Sequence, residues 1–476
     1  MTSTGKTAAV ILAAGAGTRF GGGKLVATIG GRPVLGLVVD AARAAGLEPI
    51  IVVVPPDASL DAVDLGAVRR VVNPNPAEGL SSSVRLGLRA LELVASVEAA
   101  VILPGDQPHV RPDVIRALLA EADRNPEASF VVPRYAVDTA PNPILARRSI
   151  WRLADELAGD RGFGPILAAH PELIRFVDVD GANPDVDTPA DLVAILEQAW
   201  ADRVRANREQ VDRLREVPDG PDFYGPVSSL FRADPDRTDD PVLDILLGHA
   251  RPGETWLDIG AGAGRYALPL GRVVGEVIAV DPSAAMLAAL REDAATHGIA
   301  NVRTIAGRWP LTGTAGERVE APPPSADVAL IAHVGYDIEA IGPFLGAMEA
   351  AARRLCVAVL MERQPSSIAD VLWPPVHGEE RIDLPALPAF LELLSARGAT
   401  PAVTMDLRPP RWFASTDELA GFLRRQLWVA PGSEKDRRFQ AELAQRLEAA
   451  PDGSGVGLAG LRPLPVGVVT WPPARH

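Results

Sequence analysis

Twice along its 476 residues the chain runs an apolar segment into a glycine-rich turn and then into a helical pattern. The first case is "TAAVILAAGAGTRFGGGK", residues 7–24, and the second is "WLDIGAGAGRYALPL", residues 256–270. A short apolar run closed by glycine reads as a strand buried on both faces, and a helix after it carries the chain back for a parallel neighbour. Two such beginnings in one chain predict two doubly wound α/β domains, because a single core rarely serves this length.

The intervening sequence fits that expectation. Up to about residue 195, apolar runs ("AAVILAA", "PIIVVVP", "RRVVN", "AAVILPGD", "SFVVPRY", "RFVDVD") alternate with helical stretches such as "PVLGLVVDAARAAG" and "RPDVIRALLAEADR". This is the pattern of βαβ units on a parallel sheet. Residues 196–217 place Trp200, Val204, Val211, Leu214 and Val217 on one helical face with charges elsewhere. They read as an exposed charged helix joining the halves, closed by the turn residues "PDGPDFYGP". The expected division is therefore 1–195, a helical linker at 196–221, and 222–476. A second series follows, with "ETWLDIG", "EVIAVD", "NVRTIA", "ADVALIA", "RLCVAVLM", "TPAVTMDL" and a final "PVGVVTW". The segment 313–325, "GTAGERVEAPPPS", reads as a surface loop.

Charge limits the partners. The chain has 61 acidic against 47 basic residues, a net charge of −14, and no basic block able to neutralise a run of phosphates. Nucleic acid is not an expected partner. No apolar run reaches membrane-spanning length, and the N-terminal apolar stretch is broken by glycine, so no membrane association and a cytoplasmic location are expected. The lone cysteine, Cys356, sits in "LCVAVLM" and reads as a buried strand thiol.

Three phosphate motifs compete for the first glycine loop. A P-loop requires glycine where Thr18 stands and a hydroxyl where Leu25 stands, and a dinucleotide fingerprint requires glycine at Phe20. Neither fits. What remains is a flexible turn at a strand end, flanked by Arg19 and Lys24, which either cradles a polyphosphate or is a turn with two solvated cations. Asp106 in "VILPGDQP" follows another apolar strand, where a carboxylate can hold Mg²⁺ against a phosphate.

Taken in order, "LAAGAGTRFGGGK", "NPAEGLSSSVRLGL", "GDQP", "PNPILARR", "GDRGFGPIL" and "VDTPADL" resemble the nucleotidyltransferases that act on molybdenum cofactor, in particular their cytidylyltransferase branch, over residues 8–195. The resemblance implies a Rossmann-like sheet of the GT-A-like kind. It implies that Ala13, Ala14, Gly15 and Gly17 line the nucleotide and that Arg19 and Lys24 contact its triphosphate. Gly79, Ser81, Ser82 and Ser83 would meet base and ribose, Asp106 and Asp187 would hold Mg²⁺, and Asn142 would lie near the acceptor. Guanylyl-transferring relatives carry "LAGG" where this chain has "LAAG", so Ala14 points to CTP as substrate. Molybdenum hydroxylase apoenzymes, or their maturation factors, are the protein partners that such an activity implies.

In the second loop Gly260, Gly262 and Gly264 are spaced more tightly than in a dinucleotide fingerprint. Asp258 precedes them, and Asp281 ends the next apolar run, where a carboxylate can accept two ribose hydroxyls. NAD is the natural rival ligand. "DIGAGAGRYALPL" and "VIAVDPSAAMLAAL" resemble the first two motifs of class I S-adenosylmethionine-dependent methyltransferases, over about 222–476. That resemblance implies a seven-stranded sheet whose last strand, "PVGVVTW", is antiparallel. It sets Asp258 and Gly260 near the methionine moiety, Gly262 and Gly264 in the turn against the cofactor, and Asp281 on the ribose. "AGRWP" departs from the pattern, since Arg308 and Trp309 stand where an acid often contacts adenine. His333, Tyr336 and Asp337 follow the fourth strand, His333 being a candidate general base. The expected protein is a bifunctional fusion acting on small molecules; the alternative is a nucleotidyltransferase for another phosphorylated metabolite, fused to a domain that binds S-adenosylmethionine without catalysis.

Overall fold

The apolar runs do form strands, and in both halves the order of those strands creates the crevice that ligands of such sheets use. The structure, a computed structural model, describes residues 6–15, 17–136, 141–218, 228, 231–311 and 324–474. It divides into two units, Met1–Ala194 and Ile195–His476. Most of the loop expected at 313–325 and most of the turn expected after Pro218 lie outside the described residues.

In chain order the first unit contains β1 (Lys6–Leu12), α1 (Val34–Ala44), β2 (Ile50–Val54), β3 (Arg69–Val72), α2 (Leu80–Glu92), β4 (Val97–Pro104), α3 (Pro112–Arg124), β5 (Phe130–Tyr135), β6 (Ile144–Arg147) and β7 (Ile174–Val179), followed by the start of α4 (Pro189–Leu214). The seven-stranded sheet has the order β3-β2-β1-β4-β6-β5-β7. β1 lies parallel to β2 and β4, with Leu12 beside both Val53 and Pro104. The strand order reverses at this place, so the carboxyl ends of β1 and β4 open a crevice. Ala9 and Ile11 pack into one layer with Val38 and Leu118, while Val10 and Leu12 pack into the other with Val84 and Leu88. Burial on both faces is why these runs are continuously apolar. Gly87 lets α2 settle on β1, since a Cβ there would stand 2.3 Å from Val10 Cγ1. β6, antiparallel between β4 and β5, is a strand that the sequence reading did not separate out.

The second unit adds α5 (Pro241–His249), β8 (Thr255–Ile259), β9 (Glu276–Asp281), α6 (Ala284–Thr296), β10 (Val302–Ala306), β11 (Ala326–Ala332), α7 (Ile341–Ala351), β12 (Ala352–Met361), α8 (Leu387–Ala396), β13 (Ala402–Arg408), α9 (Thr416–Gln426), α10 (Glu434–Gln445) and β14 (Leu464–Trp471). Its seven-stranded sheet runs β10-β9-β8-β11-β12-β14-β13. β14 is antiparallel to β12 and to β13, as expected of the final run. Cys356 is fully buried in β12, and burial pushes its thiol far above the usual range. A separate cluster joins Trp373, Phe413, Leu423 and Phe439 beneath α9 and α10.

Residues 196–214 are helical but are not the exposed joint that their charge suggested. Trp200 and Val204 are buried, and Val211 and Leu214 pack against the Trp373–Phe439 cluster. Polar groups fix the rest: the Trp200 indole N–H donates to the Ile338 carbonyl at 3.0 Å, and Gln210 bonds Glu380 and Ile382 backbone at 2.8 Å each. The apolar stripe read from the 3.6-residue period is a packing face of the second unit.

Candidate active sites

In the first unit the residues meet in a cleft of about 560 Å³ at the carboxyl end of β1 and β4. Past Leu12 the chain turns through Gly17, whose φ of 55° suits glycine and whose Cα faces the Lys24 side chain, so the loop wraps that lysine. Lys24 is mostly buried. Its ammonium forms a short ion pair with Asp106 and lies 3.5 Å from Asp187 Oδ1, while Arg19, largely exposed, lies 2.9 Å from Asp187 Oδ2. Asp106 is fixed by the sheet through its neighbour Gly105, which donates to the Leu12 carbonyl at 2.9 Å. Two carboxylates thus face one cation, with Arg19 at the rim.

The opposite wall is the start of α2. Gly79, with φ 86°, abuts a second loop so closely that a Cβ would stand 2.4 Å from the Gly159 carbonyl carbon. Ser81 N–H donates to the Gly159 carbonyl at 3.2 Å and Leu80 N–H to Asp160 at 3.3 Å. Ala14, Gly15, Gly17, Arg19, Lys24, Gly79, Ser83, Asp106, Asn142 and Asp187 all line the cleft. Ala13, Ser81 and Ser82 are buried behind it. Ala13 belongs to the core layer under α1, and the Ser82 hydroxyl is engaged by Asn73 and the Gly79 carbonyl at 2.8 Å each. A helix turns its successive side chains apart, so only one serine of the run reaches the ligand face.

Asp185 and Asp160 line the cleft as well and were not picked out from the sequence. Asp185 stands two residues before Asp187, and residues two apart in an extended segment share a side. That alternation was the available signal. Gln107 holds it, donating to Asp185 at 2.7 Å and accepting from Asn183 at 2.9 Å. Burial first, then the charge of Asp106, raises its carboxyl above the ordinary range. Among the described residues no three-ligand metal cluster of His, Cys, Asp or Glu is present.

In the second unit the glycine loop lies between β8 and β9. Gly260 N–H and Ala261 N–H donate to the Val280 carbonyl at 2.7 and 3.1 Å. Asp281 ties the turn together: Oδ2 accepts from Gly262 N–H at 2.9 Å and Oδ1 from Ser283 N–H at 2.8 Å. Gly260 has φ 76°, and a Cβ there would stand 2.4 Å from Val334. Gly264 is pressed on Leu290 and Leu268, whereas nothing stands within 4 Å of a Cβ at Gly262, so the backbone is open there. Asp258 is buried with Oδ1 unpartnered. Burial, then the charge of Asp281, pushes its carboxyl up to about 7.

Trp309 is buried with its indole N–H unpartnered, while Arg308 is exposed. His333 follows the end of β11 in the left-handed region, φ 58°, and its backbone N–H donates to the Val359 carbonyl at 2.8 Å. Burial, then Arg408 and Arg265, lowers its imidazole to about 3. At neutral pH it is uncharged and a weak base, which disfavours the general-base role expected of it. The Tyr336 hydroxyl accepts from Met361 N–H at 2.7 Å, and Asp337 is exposed.

The sequence model of the MobA-like NTP transferase domain matches residues 9–173, and that of a methyltransferase domain matches residues 257–341. The bifunctional enzyme IspD/IspF of a Ruegeria species is 30% identical over 247 residues, covering 51% of this chain and 59% of that protein. The 2-C-methyl-D-erythritol 4-phosphate cytidylyltransferase of Cereibacter sphaeroides is 38% identical over 132 residues, 27% of this chain and 58% of that protein. The chain thus spans somewhat over half the length of these relatives. The crystal structure of Rv0371c from Mycobacterium tuberculosis is similar at 32% identity over 41% of this chain and 100% of that one, with a TM-score of 0.36. The two family models alone place a MobA-like NTP transferase domain within the first unit and a methyltransferase domain within the second.

Proposed function

We propose that the first unit transfers a cytidylyl group from CTP to a phosphorylated acceptor and that the second uses S-adenosylmethionine. The observation that carries the first reading is the opposition of Lys24 and Arg19 to Asp106 and Asp187 in one cleft. A nucleoside triphosphate brings more negative charge than two cations offset beside these carboxylates. A divalent cation fits the donor set, because Mg²⁺ is held by one or two carboxylates with phosphate oxygens completing its shell. Asp106 and Asp187 would hold it, and when bound it would neutralise charge on the phosphate oxygens. Lys24 and Arg19 share that work by facing the triphosphate. An acceptor phosphate oxygen then forms its bond to the α-phosphorus as the bond to pyrophosphate breaks, and no protein nucleophile takes part.

The acceptor that the ordered motifs support is molybdenum cofactor. The Cereibacter relative is named for a different phosphorylated acceptor, which makes 2-C-methyl-D-erythritol 4-phosphate the rival. Pyrophosphate release with each acceptor and each of CTP, GTP, ATP and UTP tests both points. CTP is expected to turn over well ahead of GTP, because Ala14 lines the cleft where guanylyl-transferring relatives have glycine, and a base matched by few hydrogen bonds leaves the wrong one with unpaired groups. Equal turnover of CTP and GTP would reject the donor assignment.

S-adenosylmethionine fits the second unit through two features: the orphaned, buried Asp258 Oδ1 suited to an ammonium group, and the open backbone at Gly262. Bound there, it supplies an activated methyl group. Asp281, which holds the glycine turn, would accept the ribose hydroxyls. Asp281→Ala is expected to weaken S-adenosylmethionine binding by roughly 1–3 kcal/mol, the usual effect of losing hydrogen bonds to a charged group. Calorimetry on the full chain measures it, and a preference for NAD would remove the reading.

A further inference from the structure

Lys24 has two tasks in the first unit that one ammonium does not perform at once. In the structure it holds carboxylates: it pairs with Asp106 Oδ2 and lies 3.5 Å from Asp187 Oδ1, the same two groups that would hold Mg²⁺. In the transfer it faces the triphosphate. Its side chain is only 12% exposed, so an ammonium that leaves the aspartates needs another anion, because a charge left unpaired in such surroundings is costly. Arg19 does not stand in for it, being largely exposed and meeting Asp187 from the rim at 2.9 Å. Asp185, the third carboxylate nearby, accepts from Gln107 at 2.7 Å and has no ion pair among the described residues.

The local structure suits an exchange of partners. Leu25 is buried in the core layer with Leu35 and pins the backbone beside the lysine. A Cβ at Gly17 would stand 3.4 to 3.7 Å from Lys24 Cγ, Cδ and Cε, so the glycine turn runs along the whole stem and an anion received there lies beside it. Gly21 and Gly22 precede it with positive φ, and a Cβ at either would meet nothing within 4 Å, so no neighbouring side chain locks that segment. The residue type fits as well. Of 47 basic residues only Lys6, Lys24 and Lys435 are lysines. An ammonium is a compact point charge on a flexible stem, whereas a guanidinium grips a carboxylate with two prongs. A compact cation between two carboxylates stands where a small divalent cation would.

We propose that Lys24 is a placeholder for the divalent cation: its ammonium holds Asp106 and Asp187 until a nucleoside triphosphate draws it to the phosphates, and the cation takes the carboxylates together with the nucleotide. The inference rests on the nucleotidyltransferase reading. A cation arriving without nucleotide must displace the lysine, so its affinity is reduced by the fraction of molecules whose carboxylates stand free. By linkage, nucleotide and cation strengthen one another by the same factor.

The test uses the full chain and Mn²⁺, with free Mn²⁺ counted by electron paramagnetic resonance and no nucleotide present. Binding that persists in Asp106→Ala is the background from the rest of this acidic chain. Carboxylates free in about one molecule in ten weaken the metal about tenfold, so Lys24→Met is expected to bind Mn²⁺ about tenfold more tightly than the parent. Arg19→Met removes the same charge from the exposed rim and is expected to gain only about twofold. A misfolded cleft would lose metal, so a gain is not damage. A second measurement stands without the Lys24 variant: in chain carrying ¹³C at lysine Cε, the Lys24 signal is identified by elimination in Lys6→Arg and Lys435→Arg. CTP with EDTA is expected to move that signal saturably, and Mg²⁺ alone to leave it in place. A gain in Lys24→Met no larger than in Arg19→Met, a Lys24 signal that ignores CTP, or one that Mg²⁺ alone moves as far, overturns the proposal. Failure of CTP to bind even with Mg²⁺, read by calorimetry, overturns the nucleotidyltransferase reading and the proposal with it.

Discussion

Asp106→Ala is expected to lower nucleotidyl transfer by roughly a thousandfold, about 4 kcal/mol of transition-state stabilisation, while the protein stays folded. The carboxylate sits at the carboxyl end of β4 and is partly exposed, with its main-chain neighbours held by the sheet whatever the side chain. Its loss removes one of two facing oxygen groups suited to Mg²⁺ and leaves Lys24 facing one carboxylate, Asp187 at 3.5 Å, instead of two. An ammonium less fully compensated is a better partner for phosphate, so CTP binding measured without divalent metal is expected to hold or tighten as turnover collapses. That opposition separates this role from general damage, which would weaken both. Pyrophosphate release and equilibrium binding of CTP, with and without Mg²⁺, check it. A tenfold loss or less in turnover would place the principal charge compensation elsewhere, with Asp185 the next carboxylate in the cleft.

The strands and glycine turns were legible because a strand buried on both faces leaves an unbroken apolar run, and the turn at its end favours glycine where φ is positive, as at Gly17 and Gly260. β6 was less legible. It has four residues, begins after proline and ends in Arg147, so it offers too short a pattern to separate from a loop. The helix after Asp187 shows a different limit. Its period gave the buried face with Trp200 and Val204 correctly, but periodicity does not say what a face packs against, and the charges on its other sides suggested solvent. In the cleft, residues at strand ends were found from local motifs, whereas Asp160 and Asp185 reach it from loops that fold back on Gly79 and Asp106. Which serine of the run at residues 81–83 faces the cleft depends on the rotation of α2, fixed by the contact of Gly87 with Val10. The lowered basicity of His333 comes first from burial and then from Arg408, far away in sequence, and no local motif carries either.

Asp258→Asn is expected to stabilise the second unit above neutral pH while weakening its hold on S-adenosylmethionine. In the folded protein the Asp258 carboxyl is raised to about 7 by burial and by Asp281, against about 3.9 in an unfolded chain. Between those values the folded state keeps a proton that the unfolded state has lost. Stability therefore falls as pH rises from about 4 to 7 and levels off above, the full difference being about 4 kcal/mol. Asparagine has nearly the same shape and does not ionise, so the variant should match the parent near pH 4, melt somewhat later at pH 5 and later still at pH 8, with the slope between them largely removed. The buried Oδ1 has no partner to lose. If that oxygen receives the ammonium of the cofactor, binding makes the carboxylate favourable, and the parent should release a proton on binding near pH 6. The variant should release none there and should bind tenfold or more weakly. Scanning calorimetry from pH 5 to 8.5, followed through the transition that S-adenosylmethionine shifts, and titrations in buffers of different ionisation enthalpy measure the two effects. An unchanged slope would mean that Asp258 is ionised in the folded state; a flattened slope with unchanged affinity would mean that the carboxyl is buried for the fold alone and that the cofactor's charged end is held elsewhere.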